Sequence, residues 1–336
     1  MTSFDLWRWG LFHVFILGML ALDLGVFNRK AHTVKIREAL TWSAVWIILA
    51  LLFCARIYYF ESHDLAMKWL TAYVVEKSLS VDNIFVFVLI FSYFRVPSEY
   101  QHRVLYWGIL GAVLMRAFLI AFSVTLVHMF SWVMYLFGLF LVVSGLKFAF
   151  QDEEGVHPER NPIFRAARRY LRVTPDYVGA SFLTRIDSRW YATPLFLVLV
   201  VVESTDLLFA IDSIPAVIAV TKDPFTVYTS NIMAILGLRA LYFALAGVME
   251  KFHYLKFGLS LILVFIGVKM ILEEGAHHWH PAGDWEMPIL WSLGLILGTL
   301  VTTIGASLIF PKRVAASVPA LPEPGAADPE TLIEIQ

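Results

Sequence analysis

Five carboxylates fall inside stretches that otherwise read as hydrocarbon: Glu76 and Asp82 in one, and Glu203, Asp206 and Asp212 in another. An acid at the centre of a membrane span costs roughly 2.5–3.5 kcal/mol on the insertion scale. Several together repel one another unless cations or protons neutralise them. Binding a hard cation is the chemistry such a set performs best. Asn83 and Ser213 occupy matched positions directly after Asp82 and Asp212, and neutral oxygens beside carboxylates suit Mg²⁺, Ca²⁺ or Mn²⁺. Neither stretch holds a histidine and no cysteine lies near them, which argues against Zn²⁺ and copper. Anions are excluded by sign.

Glu76 and Asp82 are six residues apart, as are Asp206 and Asp212. On an ideal helix that spacing turns the second acid about 120° from the first. Either each acid faces a different neighbouring helix, or the helix unwinds between them. Pro215 favours unwinding, because it lacks an N–H and displaces the carbonyl of Ile211, leaving a further oxygen ligand beside Asp212 and Ser213. Ser78 and Ser80 loosen the first stretch more weakly. Arg116 and Arg239 each follow in the next span; each can neutralise one carboxylate and hold the unloaded site together, or can serve a purely structural ion pair. Asp23, near the end of the first span, joins either an inner vestibule or a helix-packing hydrogen bond. Lys77, Lys147 and Lys269 read as snorkelling anchors. His277-His278-Trp279-His280 looks like metal-binding sequence, although such a cluster on a solvated loop is more often just that.

The elements that must position these residues are membrane spans. Hydrophobic residues make up 59% of the 336 positions and charged residues 16%, outside the range of soluble domains. Hydropathy implies nine segments of spanning length, at about 10–27, 40–60, 68–93, 104–127, 130–150, 192–219, 227–249, 255–272 and 287–310. Arginine and lysine cluster after the first, third, fifth, seventh and ninth segments, while the opposite side receives only Arg8, Lys68 and Lys222. The positive-inside rule then puts the N-terminus outside and the C-terminus in the cytoplasm. The single cysteine, Cys54, permits no intrachain disulfide and no Cys-x-x-Cys chemistry.

Spans three to five resemble spans six to eight. Glu76 and Asp82 align with Asp206 and Asp212, Arg116 with Arg239, and Gly145-Leu146-Lys147 with Gly267-Val268-Lys269; both copies then run into paired glutamates, Glu153-Glu154 and Glu273-Glu274. A repeat of three spans must insert its second copy upside down, which is the plan of many secondary transporters, with the site at the midplane where the copies meet. The expected fold is therefore all-α: a polytopic membrane protein of about nine transmembrane helices with an inverted three-helix repeat. Its parts are two leading helices (1–60), repeat 1 (61–154), a cytoplasmic connector (155–190), repeat 2 (191–276), an outer loop with the last helix (277–312) and a tail expected to be disordered (313–336). The connector is rich in arginine. Either its arginines simply set topology, or a short helix near 162–172 lies on anionic headgroups.

The stretches from Val75 to Asn83 and from Glu203 to Pro215, together with Leu22-Asp23-Leu24-Gly25-Val26-Phe27 and the run from Asn231 to Arg239, resemble the signature segments of the TerC family, most closely its Alx-like branch with a nine-span plan. The resemblance runs from about residue 10 to 310. It implies manganese export from the bacterial inner membrane, and it links the chain to tellurium resistance and alkaline response. The residues alone imply only a hard divalent cation; the name manganese comes from the family. Together they suggest a secondary transporter in which Mn²⁺ enters near Glu203, binds between Asp82, Asp206 and Asp212 with Asn83 and Ser213, and leaves past Glu76. Unloaded carboxylates repel, so protons are expected to refill the site. The expected partners are the metal ion, protons and the bilayer, with no nucleic acid, no organic cofactor and no enzymatic activity; a homo-oligomer is left open. The alternative is a membrane-protein insertion or assembly factor of the TerC type in which the acids are structural.

Overall fold

The computed structural model describes residues 3–25, 36–150, 161–246, 252, 254–279 and 287–310, with backbone only at 3–5, 21–25 and 277–279. Two helices lead: α1 (Ser3–Gly25) and α2 (Ile36–Phe60). α3 (His63–Tyr93) begins where the Ser62 hydroxyl accepts a hydrogen bond from the Leu65 amide at 3.1 Å, satisfying one of the amides a helix start leaves open. α4 (Ser98–Met129) follows Pro97, and α5 (Val133–Phe150) completes the first half.

The connector is more ordered than an arginine-rich loop would be. It forms a short helix, α6 (Pro162–Tyr170), then an antiparallel hairpin of β1 (Leu183–Ile186) and β2 (Arg189–Ala192), with Leu183 opposite Ala192 and Ile186 opposite Arg189. The two-residue turn puts Asp187 at φ 47° and Ser188 at φ 63°, both in the left-handed region that matches the twist of the flanking strands.

The second half comprises α7 (Pro194–Ile218), α8 (Pro224–Leu236), α9 (Leu238–Leu245), α10 (Leu255–Trp279) and α11 (Ile289–Ile309). Pro194 and Pro224 open their helices at the first turn, where a missing N–H costs nothing, and the Asp223 carboxylate accepts from the Thr226 amide at 2.8 Å. Among the described residues, seven helices are long and apolar enough to cross a membrane, counting α8 and α9 as one span. The two further spans expected from hydropathy fall on α1, whose described side chains form the apolar stretch Leu6–Leu20, and on the 31-residue α3, whose middle carries Glu76, Lys77 and Asp82.

α3 packs on α8, α4 on α7, and α5 along α10. Glycines bring the last pair into backbone contact. A Cβ on Gly138 would meet the Gly267 carbonyl at 2.9 Å, and one on Gly267 would meet the Gly138 carbonyl at 2.6 Å. The Ser260 hydroxyl donates to the Gly145 carbonyl at 2.6 Å. α8 sits at the centre, with every residue from Phe225 to Leu236 buried.

Two expectations fail here. α3 and α7 are helical through both of their acid pairs, with no unwinding. Pro215 removes one amide, but a helix can absorb a single lost bond, and α7 continues to Ile218 before the Ala219 amide closes it on the Pro215 carbonyl at 2.9 Å. Lys77 and Lys269 are not snorkelling anchors. The Lys77 ammonium reaches the Ala234 carbonyl at 3.0 Å, beside the break between α8 and α9. Lys269 is buried and pairs with Glu273 at 2.9 Å.

Candidate functional site

Arg116 is the hub. It projects from α4 into the centre of the molecule and is fully buried. Its Nε and Nη2 donate to the two oxygens of Asp206 on α7, at 3.3 and 3.1 Å, a fork-to-fork pairing. Its Nη1 donates to Glu76 Oε1 on α3, to Ser213 Oγ at 3.2 Å and to Asn231 Oδ1 on α8 at 3.3 Å. Asn231 in turn donates from Nδ2 to Glu76 Oε2 at 2.9 Å. Glu76 is 1% exposed and Asp206 3%. One guanidinium therefore faces two carboxylates where water is excluded, which leaves the cluster negative. Lys77, within electrostatic reach of Glu76, offsets part of that charge.

The other acids lie around this hub. Glu203, one turn before Asp206 on α7 and within electrostatic reach of it, lays its carboxylate on α4 over Gly111; a Cβ at Gly111 would run into that carboxylate. Asp212 accepts from the Ser144 hydroxyl of α5 at 3.0 Å and feels Lys147. Asp82 is within electrostatic reach of both Lys256 and Asp212. Asn83 is buried next to it at 3% exposure.

The expected trio of Asp82, Asp206 and Asp212 thus divides. Asp206 turns toward Arg116 together with Glu76, and Ser213 joins them instead of standing beside Asp212. Among the described residues no three His, Cys, Asp or Glu side chains are placed to hold one metal ion. The physical reason is the unbroken helices: two acids about 120° apart on a straight helix address different neighbours. Glu76, expected on the way out, is central.

Arg239 on α9, which aligns with Arg116 in sequence, takes a different position. It is buried and donates to Nε2 of His102 on α4 at 3.0 Å. Arg239 and Asp206 both line a cavity of about 10 Å³, at the lower limit for one water. Phe87, Gly108, Val202 and Leu238 help to line it. Pro215 is buried within α7. Asp23 belongs to the last turn of α1, and its side chain, like those of His277, His278 and all of His280, lies outside the described residues.

Sequence reasoning gave no role to four of the participants. Asn231 is an isolated amide in an apolar span and has no matched polar residue in the first half. Ser144 and His102 carry no spacing signal. Gly111 matters only through what it makes room for.

The family profile described as "Integral membrane protein TerC family" matches residues 61–315, which contain all of these side chains except Asp23. An uncharacterized membrane protein of Myxococcus xanthus is 49% identical over 309 residues, covering 92% of this chain and 94% of that protein. A protein of Escherichia coli named Alx, a candidate membrane-bound redox modulator by its name, is 45% identical over 306 residues, covering 88% and 92%. An uncharacterized membrane protein of Rickettsia bellii is 39% identical over 301 residues, covering 90% and 97%. No solved structure matches the chain. With the profile spanning most of the sequence and its relatives aligned nearly end to end, the chain belongs to the TerC family of integral membrane proteins.

Proposed function

We propose that this protein is a secondary transporter that exports a hard divalent cation, Mn²⁺ by family resemblance, across the bacterial inner membrane. The observation that carries the reading is that Glu76 of α3 and Asp206 of α7, acids from the two matched helices, share the Arg116 guanidinium at the buried centre. The pairing of α3 with α8, α4 with α7 and α5 with α10 fits two copies related by a two-fold axis in the membrane plane, since such an axis exchanges the first two pairs and maps the third onto itself.

In this reading Arg116 and the cation compete for the same two carboxylates. A divalent ion arriving from the cytoplasmic side by way of Glu203 displaces the guanidinium from Asp206, then gains Glu76, the Asn231 carbonyl and Ser213 as oxygen ligands. Asp82, Asn83 and Asp212 serve the same ion on its way through. When the halves rock, Arg239 moves to Asp206 and takes over the role of its counterpart there, while the remaining acids stay unneutralised. Protons are the natural counter-cargo for carboxylates that repel one another once the metal departs. A redox role of the kind in the relatives' name finds no dithiol here: Cys54 is the only cysteine, and its thiol donates to the Ala66 carbonyl at 3.5 Å.

The test is cellular metal content, element by element, in cells loaded with manganese and expressing the wild-type chain or Glu76→Gln at matched membrane levels. Export predicts low manganese with the wild type and high manganese with the variant. Unchanged manganese with both would contradict it and would favour an assembly role.

A further inference from the structure

The connector between the two halves has a surface that cation transport does not use. On α6, Phe164 is buried at 5% exposure and packs edge-on against Phe94, ring centroids 5.7 Å apart. Ala167, one turn on, is half-buried behind it. That stripe holds the helix to the protein. The remaining faces present Arg165, Arg168 and Arg169, with Arg172 just beyond, and among them the exposed apolar side chains Ile163 and Tyr170. The hairpin adds exposed Arg185 and Arg189 beside Trp190, which is 66% exposed, and Ile186. Between 161 and 192 the only acids are Asp176 and Asp187, against six arginines. The hairpin runs straight into Thr193 and Pro194, where a membrane-spanning helix begins, so the surface stands at the height of the headgroups.

We propose that α6 and the hairpin form a binding surface for anionic phospholipid headgroups. Guanidinium groups pair bidentately with phosphate, and aromatic and aliphatic side chains interleaved among them suit the boundary between headgroup and acyl chain, where a soluble polyanion would gain nothing from them. The surface also communicates with the acid-bearing helix. Asn161 caps α6 by accepting from the Ile163 amide at 2.9 Å, and its Nδ2 donates to Ser204 Oγ at 2.7 Å. Ser204 adjoins Glu203. Lipid held on α6 therefore steadies α7 at the residue next to the cytoplasmic acid.

The experiment is native mass spectrometry of the full chain in detergent, titrated with phosphatidylglycerol or phosphatidylcholine, for the wild type and for Arg165→Gln/Arg168→Gln/Arg169→Gln. Each cation near an anionic surface contributes roughly a fivefold gain, so the triple variant should bind phosphatidylglycerol on the order of a hundredfold more weakly, with phosphatidylcholine unaffected. If the triple variant does not insert correctly, Arg185→Gln/Arg189→Gln on the hairpin should lose roughly 25-fold. Equal binding of the two lipids by the wild type, or full displacement by soluble glycerol phosphate, would overturn the proposal. So would retention of phosphatidylglycerol by the correctly inserted variants.

Discussion

Replacing Arg116 by glutamine separates a structural ion pair from a cation site. The change leaves Glu76 and Asp206 facing each other in a buried centre with only Asn231 and Ser213 as neutral neighbours. Removing one partner of a buried charge cluster costs about 3–5 kcal/mol, and here two carboxylates lose the same guanidinium, so the upper part of that range is expected. A divalent cation can fill the place the guanidinium leaves. Arg116→Gln should therefore be destabilised by about 5 kcal/mol in metal-free buffer, and Mn²⁺ should restore more stability to it than to the wild type, by the mass-action gain of tighter binding. Flux should fall, because nothing displaces the bound ion from that side. The assay is unfolding of the purified protein in detergent across a Mn²⁺ series, with a Mn²⁺ binding isotherm alongside. Equal Mn²⁺ stabilisation of wild type and variant would refute the competition. The double variant Arg116→Gln/Glu76→Gln, which removes charge of both signs, should recover about half of the loss without metal.

Other predictions follow from single contacts. Gly111→Ala pushes the Glu203 carboxylate off α4; because that carboxylate ends a flexible side chain, stability should fall by no more than about 1–3 kcal/mol while Mn²⁺ flux drops sharply, whereas Gly298→Ala, with open space around it, should change neither. Ser144→Ala removes the hydroxyl that orients Asp212 and should weaken Mn²⁺ about 10–100-fold in equilibrium binding. Asn161→Ala removes both a helix cap and the tie to Ser204, costing about 1 kcal/mol and raising amide hydrogen exchange across α6 but not across α8.

The sequence exposed what is costly in a membrane. Five acids and two arginines in apolar runs stand out on composition alone, but the central place of Glu76 was not anticipated, because it was expected on the exit route. Which side chain each acid would meet was not legible, because partners depend on which face of a helix a neighbour covers. Six residues on an unbroken helix sent Asp206 to Arg116 and Asp212 to Ser144. The same blindness hid the inward turn of Lys77: a lysine in a span normally snorkels, and only the break at Gly237, with the open carbonyl of Ala234, gives it an interior acceptor. Pro215 misled in the other direction, since a proline near a helix end costs one bond and need not unwind anything.

The central claim is that carboxylates contributed by the two halves carry a divalent cation through the middle of the protein. It is tested most directly by Mn²⁺ flux into proteoliposomes containing the wild-type chain, Glu76→Gln or Asp206→Asn, with and without an imposed pH gradient. The account predicts flux for the wild type that responds to the gradient and near-background flux for both folded variants. Wild-type flux no greater than that of protein-free vesicles, or undiminished flux in either variant, would contradict it.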